Sequence, residues 1–241
     1  RDRASWSRER RPEIHRRASN GQAGDITRPD HNWDQDLGLM DIPGRPKWKG
    51  SVAIHRAADG TPDGYVRYSG EERWEEGIPD NIVKVDDLVG ETPEAERELW
   101  RFLSSLDLVA EARVNGHKLD NGIRWQLVDG RAAQLLRVNE GLWLRPYDVP
   151  RLLGSRTYER DGAIVIEVQD RLGERAGPAA GRFRLDAGPD GATCAPTTGS
   201  ADVTVAVQAL GAASLGGTRL ADAAASWPVV EHRPGAIVAL D

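Results

Sequence analysis

Hydrophobic positions along this chain switch between the twofold spacing of strands and the three-and-four spacing of helices, and the switches come in a definite order. Ser51–Arg56 and Gly64–Ser69 are strand-like runs separated by Ala58–Asp63, a loop of turn formers, so an antiparallel hairpin is expected. Ile82 to Val89 continues the sheet, although Asp86-Asp87 breaks its alternation. Thr92-Pro93-Glu94 is a helix start: a hydroxyl cap, a proline in the first turn and acids at the positive end of the dipole. Ala95, Leu99, Phe102, Leu103 and Leu106 then recur on one helical face, with Trp100 at its edge. Leu108–Val114 is the next strand, Asn115-Gly116 a turn, and Ile123–Val128 and Ala133–Val138 two further strand candidates.

The pattern changes at Gly141–Leu153. Gly141–Arg145 reads as a short strand, and Tyr147-Asp148-Val149-Pro150 as a turn opening a helix, with Asp148 as its cap. Beyond it, Ala163–Gln169, Gly181–Asp186 and Val203–Val207 are strands. Helices of small residues follow over Val207–Leu215 and Thr218–Ser226, broken by Gly216-Gly217, and Pro234–Leu240 reads as a helix cut short. Two α+β domains are therefore predicted, residues 1–139 and 140–241.

Composition adds limits. A hydrophobic fraction of 39% and a charged fraction of 29% fit a globular chain, and no apolar run is long enough to cross a bilayer. Net charge is −6, yet seven arginines fall among the first seventeen residues with Asp2, Glu9 and Glu13 between them. That start reads as a solvated helix face, with Trp6 and Ile14 as its buried side, rather than a nucleic-acid arm. The one cysteine, Cys194, allows no internal disulfide and fits a reducing, cytoplasmic setting. Met40 is the only methionine, and the expected reading is of an internal fragment, truncated at its C-terminus.

The common catalytic signatures are missing: no G-x-S-x-G, H-E-x-x-H, Walker loop or G-x-G-x-x-G. His15, His31, His55, His117 and His232 are scattered and read as exposed or singly hydrogen-bonded side chains rather than metal ligands. Asp86 and Asp87, adjacent on a strand, point to opposite faces and do not converge as an acid–base pair. Glu71, Glu72, Glu75 and Glu76 around Trp74 read as a solvated charge run.

Several stretches carry a resemblance: Gly24–Arg28 with Trp33, Asp63–Tyr68, Val85–Leu88, Leu99–Leu103 with Leu106-Asp107, and Gly141–Arg145 with Asp148–Pro150 and Arg156–Tyr158. In that order and spacing they resemble the central and C-terminal parts of the enhanced intracellular survival (Eis) family of acetyltransferases, from Gly24 almost to Asp241. Residues 1 to 23 match poorly. The resemblance implies a GNAT-like mixed sheet with helices, non-catalytic, followed by a sterol-carrier-protein-like domain. In the family, an active GNAT domain precedes these two and transfers acetyl from acetyl-CoA to amines of polycationic substrates such as aminoglycosides.

The turn Gly90–Glu96 departs from the family's R/Q-x-x-G-x-G/A diphosphate loop. It lacks the arginine and two glycines, Pro93 removes a donor, and Glu91, Glu94 and Glu96 repel phosphates. No cofactor is therefore expected in this fragment, acetyl-CoA belonging to the missing N-terminal domain, and the fragment alone is expected to be inactive. By matching position, the resemblance assigns Trp33 and Trp143 to the substrate cleft, with Asp148 as a carboxylate for an ammonium. Structural roles stand beside each assignment: a core tryptophan, a plug and a helix cap. A homo-oligomer is implied as well. Two readings of other classes remain open, a lipid-binding sterol-carrier-like protein and a structural oligomerisation module.

Overall fold

The computed structural model describes residues 3–20, 22, 24–44, 46–118, 121–139, 141–171 and 179–241. The chain divides into two compact units, Arg1–Val138 and Asn139–Asp241. Among the described residues no helix is long and apolar enough to cross a membrane, and no group of three or more His, Cys, Asp or Glu side chains is placed to hold a metal ion.

The first unit begins with helices α1 (Arg3–Ser19) and α2 (Asp30–Asp36). Strands β1 (Ser51–Arg56) and β2 (Pro62–Glu71) form the predicted antiparallel hairpin. A small ladder of β3 (Trp74–Glu75) and β4 (Ile78–Pro79) precedes β5 (Asn81–Gly90). Helix α3 (Pro93–Ser104) then carries the chain to β6 (Val109–Val114), which lies parallel to β5, completing a four-stranded mixed sheet of order β1-β2-β5-β6. Each face of that sheet has its own cover. Val66, Val83, Val85 and Leu88 meet Leu99, Trp100 and Leu103 of α3 on one side. Tyr65 meets Ile14 of α1 and Trp33 of α2 in a second cluster.

A bulge lets one strand serve both clusters. Arg67 of β2 pairs with Asp87 and Tyr68 with Val85, so Asp86 is an extra residue in β5. Leu88 thereby joins Val83 and Val85 against α3. Asp86 accepts the indole N–H of Trp48 at 2.9 Å, whereas Asp87 takes Arg28 and Tyr65. The pair does not converge on shared partners.

Asp87 holds the second cluster together. Arg28 reaches it through two guanidinium nitrogens at 2.6 and 3.2 Å, the Tyr65 hydroxyl donates to it at 2.7 Å, and Arg11 stands 3.5 Å away. Arg11 is fully buried, 3.4 Å from Asp36, with its guanidinium 4.9 Å from the Tyr65 ring centre and 5.2 Å from that of Trp33. This corrects the expectation of a wholly solvated arginine face on α1: Ile14 is buried as predicted, but Arg11 and His15 are buried with it. The side chain of Trp6, the other predicted buried residue, lies outside what the structure describes. Burial pushes the carboxyl of Asp87 up. The Arg28 hydrogen bonds and charge, the Tyr65 hydroxyl and Arg11 outweigh it and hold the group below the usual range.

The segment after β6 differs from expectation. Residues Ile123–Gln126 form a short helix α4, Gly130–Ala132 a 3₁₀ turn, and 133–138 join no sheet, so neither predicted strand is present.

In the second unit, Gly141–Arg145 is irregular rather than a strand. Helix α5 (Val149–Gly154) follows, then β7 (Gly162–Gln169), β8 (Gly181–Gly188), β9 (Gly191–Pro196) and β10 (Val203–Ala206). Helices α6 (Val207–Ala213) and α7 (Leu220–Ala223), strand β11 (Val229–Glu231) and helix α8 (Ala236–Leu240) complete it. The sheet order is β11-β10-β7-β8-β9, with only β10 and β7 parallel. Ile164, Ile166, Val168, Phe183 and Leu185 form one core with Ala209, Leu210, Leu220 and Ala223. The small residues of α6 and α7 thus allow close approach: a Cβ on Gly211 would lie 2.6 Å from the Leu144 carbonyl oxygen.

Replacing Asp87 by Asn should cost about 3 kcal/mol of stability, because Arg11 and Arg28 keep only the half-buried Asp36 as a counter-charge. The folded carboxyl titrates below its unfolded value. Its contribution is therefore complete above about pH 4 and is lost as pH falls through the folded value. Thermal melts between pH 3 and 7 should show a flatter acid limb for Asp87→Asn than for the unaltered chain; equal limbs would remove Asp87 from that role.

Candidate functional site

The place where a GNAT-like sheet offers chemistry is the turn from β5 into α3, and here it is closed by its own residues. Thr92 caps the helix, its hydroxyl accepting from Ala95 N at 3.1 Å while its carbonyl accepts from Glu96 N at 3.1 Å. Glu91 N donates to the Asp63 carbonyl at 2.8 Å, and Pro93 has no N–H to offer. The first turn of α3 also presses on the strand end. A Cβ on Gly90 would stand 2.6 Å from Glu96 N, a contact only glycine permits.

Charge at this turn is settled locally as well. Arg17 of α1 binds Glu91 at 2.7 Å through Nε and donates to the Pro62 carbonyl at 2.8 Å. His117 Nε2 stands 3.4 Å from Glu96, and this contact is the main cause holding that carboxyl below its usual range. An anion at the helix start would meet Glu91, Glu94 and Glu96 and find two of the helix's first amides in use. These residues do not fit the diphosphate of acetyl-CoA.

The three residues assigned by resemblance are placed differently from one another. Trp33 lies on α2 in the first unit and is only 4% exposed. Its indole N–H donates to the Arg28 carbonyl at 3.1 Å, His15 meets the ring edge-on at 5.4 Å, and the guanidinium groups of Arg11 and Arg28 each lie 5.2 Å from its centre. What remains of the ring borders a depression of about 320 Å³ shared with Arg8, Glu9, Pro12 and Asp30. Arg8 is held there by a two-point contact to Asp34, so Glu9 and Asp30 give the rim its negative character. Sequence reasoning missed this depression, since Glu9 and Asp30 stand far apart in the chain and α1 and α2 bring them together.

Trp143 belongs to the second unit, in its irregular opening segment, and is 81% exposed. Asp148 caps α5 as predicted, accepting from Arg151 N at 2.9 Å. Its second carboxylate oxygen makes no hydrogen bond among the described residues. No hydrogen bond or ring contact joins Trp143 to Asp148. Arg145, between them in sequence, pairs with Asp170.

Other reactive groups in the second unit are quiet. Burial, with the charge of Asp148 as a lesser cause, pushes the Cys194 thiol up to about 11, so it stays protonated at neutral pH and is a poor nucleophile. His232 contacts the Thr204 hydroxyl at 2.8 Å, and that hydroxyl also donates to Glu167 at 3.1 Å. Nothing in this arrangement activates an attacking group.

Comparisons with known proteins place this geometry in a family. Residues 24–146 match the acetyltransferase (GNAT) domain and residues 149–232 the sterol carrier protein domain. An uncharacterized N-acetyltransferase of Streptomyces avermitilis is 36% identical over 231 residues, which is 95% of this chain and 54% of the relative. N-acetyltransferase Eis of Mycobacterium tuberculosis is 30% identical over 207 residues, 84% of this chain and 46% of that protein. The crystal structure of Eis1 from Mycobacterium abscessus superposes with a TM-score of 0.75 at 32% identity, covering 98% of this chain and 56% of Eis1. The chain spans about half the length of the curated relatives it matches. With the mixed sheet of the first unit and the α+β core of the second, it belongs to the GNAT acetyltransferase family, in the Eis group that joins such a domain to a sterol carrier protein domain.

Proposed function

We propose that this chain is the non-catalytic portion of an Eis-type N-acetyltransferase, a longer polypeptide that transfers acetyl from acetyl-CoA to amines of polycationic substrates such as aminoglycosides. The observation that carries this reading is the self-satisfied turn between β5 and α3. In a GNAT-like fold that turn is where the cofactor's diphosphate would bind, and here its amides, charges and free space are already committed. Acetyl-CoA then belongs to polypeptide outside these 241 residues, and the part played by this chain is to supply walls to a cleft.

Three side chains are proposed for those walls. Trp143 offers an exposed aromatic face and Asp148 a carboxylate with one oxygen free of the cap, a pairing of groups suited to an ammonium. Trp33 contributes only the ring edge left open beside Glu9 and Asp30. A homo-oligomer in the cytoplasm belongs to the same reading. The rival lipid carrier has less support, since Ala209 and Ala223 are buried in the core and Gly211 lies against the Leu144 carbonyl.

Calorimetric titration of the 241-residue chain with acetyl-CoA is expected to give no heat of binding; a stoichiometric isotherm would overturn the non-catalytic assignment. In the complete polypeptide, Trp143→Ala should raise the Michaelis constant for the amine about threefold, the loss of one exposed cation–π contact, and leave that for acetyl-CoA unchanged. Equal changes in both constants would return Trp143 to a structural role.

A further inference from the structure

Three asparagines of this chain are followed directly by glycine, Asn20, Asn115 and Asn121, and Gly21 of the first pair lies outside the described residues. In an Asn-Gly pair the side-chain carboxamide lies close to the next peptide nitrogen, and glycine adds no side chain to shield that nitrogen. Whether the two groups can meet depends on what else holds them, because short polar side chains readily hydrogen-bond the backbone nearby. The folded chain treats its two described pairs differently.

Asn115-Gly116 follows β6 and is exposed. Gly116 has φ 68°, and a Cβ built on it would meet nothing within 4 Å, so the turn is open on that side. Among the described residues neither the Asn115 carboxamide nor the Gly116 N–H makes a hydrogen bond, while Asn115 N donates to the Val85 carbonyl at 3.4 Å. Asn121-Gly122 is half-buried, and its carboxamide is held at both ends. Asn121 Nδ2 donates to the Lys118 carbonyl at 2.5 Å, and Oδ1 accepts from Ile123 N at 3.3 Å. Gly122 stands at the start of α4 with φ −81°, its carbonyl accepting from Trp125 N at 3.0 Å.

We propose that Asn115 is a modification site, where the folded chain deamidates spontaneously through a cyclic imide, and that the fold protects Asn121 from the same reaction. The Gly116 nitrogen attacks Cγ of Asn115 and gives its proton to water, the Cγ–Nδ2 bond breaks, and the side-chain nitrogen takes up a proton and leaves as ammonia. Water then opens the ring at either carbonyl, giving aspartate or isoaspartate. Water is the only co-reactant. Attack needs the two reacting atoms in contact at a set angle, and a carboxamide fixed at both its oxygen and its nitrogen, as in Asn121, cannot turn to offer it. Either product puts a new carboxylate two residues before His117, whose Nε2 stands 3.4 Å from Glu96 and whose ring meets Trp100 edge-on at 5.7 Å. Isoaspartate also lengthens the main chain beside the bond to Val85. The change therefore falls where the end of β6 meets α3.

Trypsin separates the two pairs, since Lys118 lies between them and Arg113 and Arg124 flank them. The 241-residue chain, kept folded in mildly alkaline buffer and digested at intervals, is expected to show the mass gain of deamidation in peptide 114–118 at least about tenfold faster than in peptide 119–124. The product in peptide 114–118 should separate into aspartate and isoaspartate forms. In denaturing urea, where the hydrogen bonds of Asn121 are gone, the two rates should come together. Equal rates in the folded chain, or a faster Asn121, would overturn the proposal. A difference that persists undiminished in urea would place its origin in the neighbouring residues instead of the fold, and would overturn it as well.

Discussion

A carboxylate withdrawn from water is the constraint on which the first unit depends. Asp87 would be costly to bury by itself, and its position is acceptable only because Arg28, Arg11 and Tyr65 close around it. Those three come from the loop before α2, from α1 and from β2, so satisfying one charge fixes three separate pieces of chain against the same strand. Apolar contact alone would let α1 slide over the sheet. The ion pairs give it one seat, and Ile14, Trp33 and Tyr65 then pack around that seat.

The opposite face of the same sheet is organised by apolar packing under α3, and the consequence for function lies at the helix's start. A helix N-terminus can serve an anion only if its amides are free. Thr92, Pro93 and the contact at Gly90 spend that capacity on the fold itself. The turn from β5 into α3 is therefore a structural joint, its first amides held by Thr92 and its approach closed at Gly90. In the second unit, Ala209 of α6 and Ala223 of α7 are buried in one core with the strands.

Elements whose stability comes from one-sided burial were legible from the chain. The hairpin of β1 and β2, helix α3 with its Thr92 cap, strands β7 and β8 and the Asp148 cap all follow from periodicity and local hydrogen-bonding chemistry. Where partners distant in sequence decide the outcome, reading failed. An arginine-rich helix has the pattern of a solvated face, and nothing near Arg11 announces that Asp36 and Asp87 will bury it. Strand β9, Gly-Ala-Thr-Cys-Ala-Pro, has almost no apolar alternation and is a strand because β8 offers it an edge. Residues 133–138 show the converse: their pattern is that of a strand, and within the described residues no edge receives it. Of the residues assigned to a cleft, Asp148 was legible as a cap, while the burial of Trp33 and the exposure of Trp143 required tertiary structure.

The extra residue at Asp86 has a consequence for the chain's tolerance of change in length. Up to Val85 the side chains facing α3 occupy odd positions, and after the bulge Leu88 continues that face from an even one. Loss of Asp86 would restore strict alternation with both sides kept, Leu88 still under α3 and Asp87 still among the arginines. Pairing the same residues without the bulge would instead exchange the two sides of the strand's second half, driving a carboxylate into the hydrocarbon under α3 and a leucine among the arginines. The strand thus tolerates the loss of that residue but not the flattening of the bulge around it.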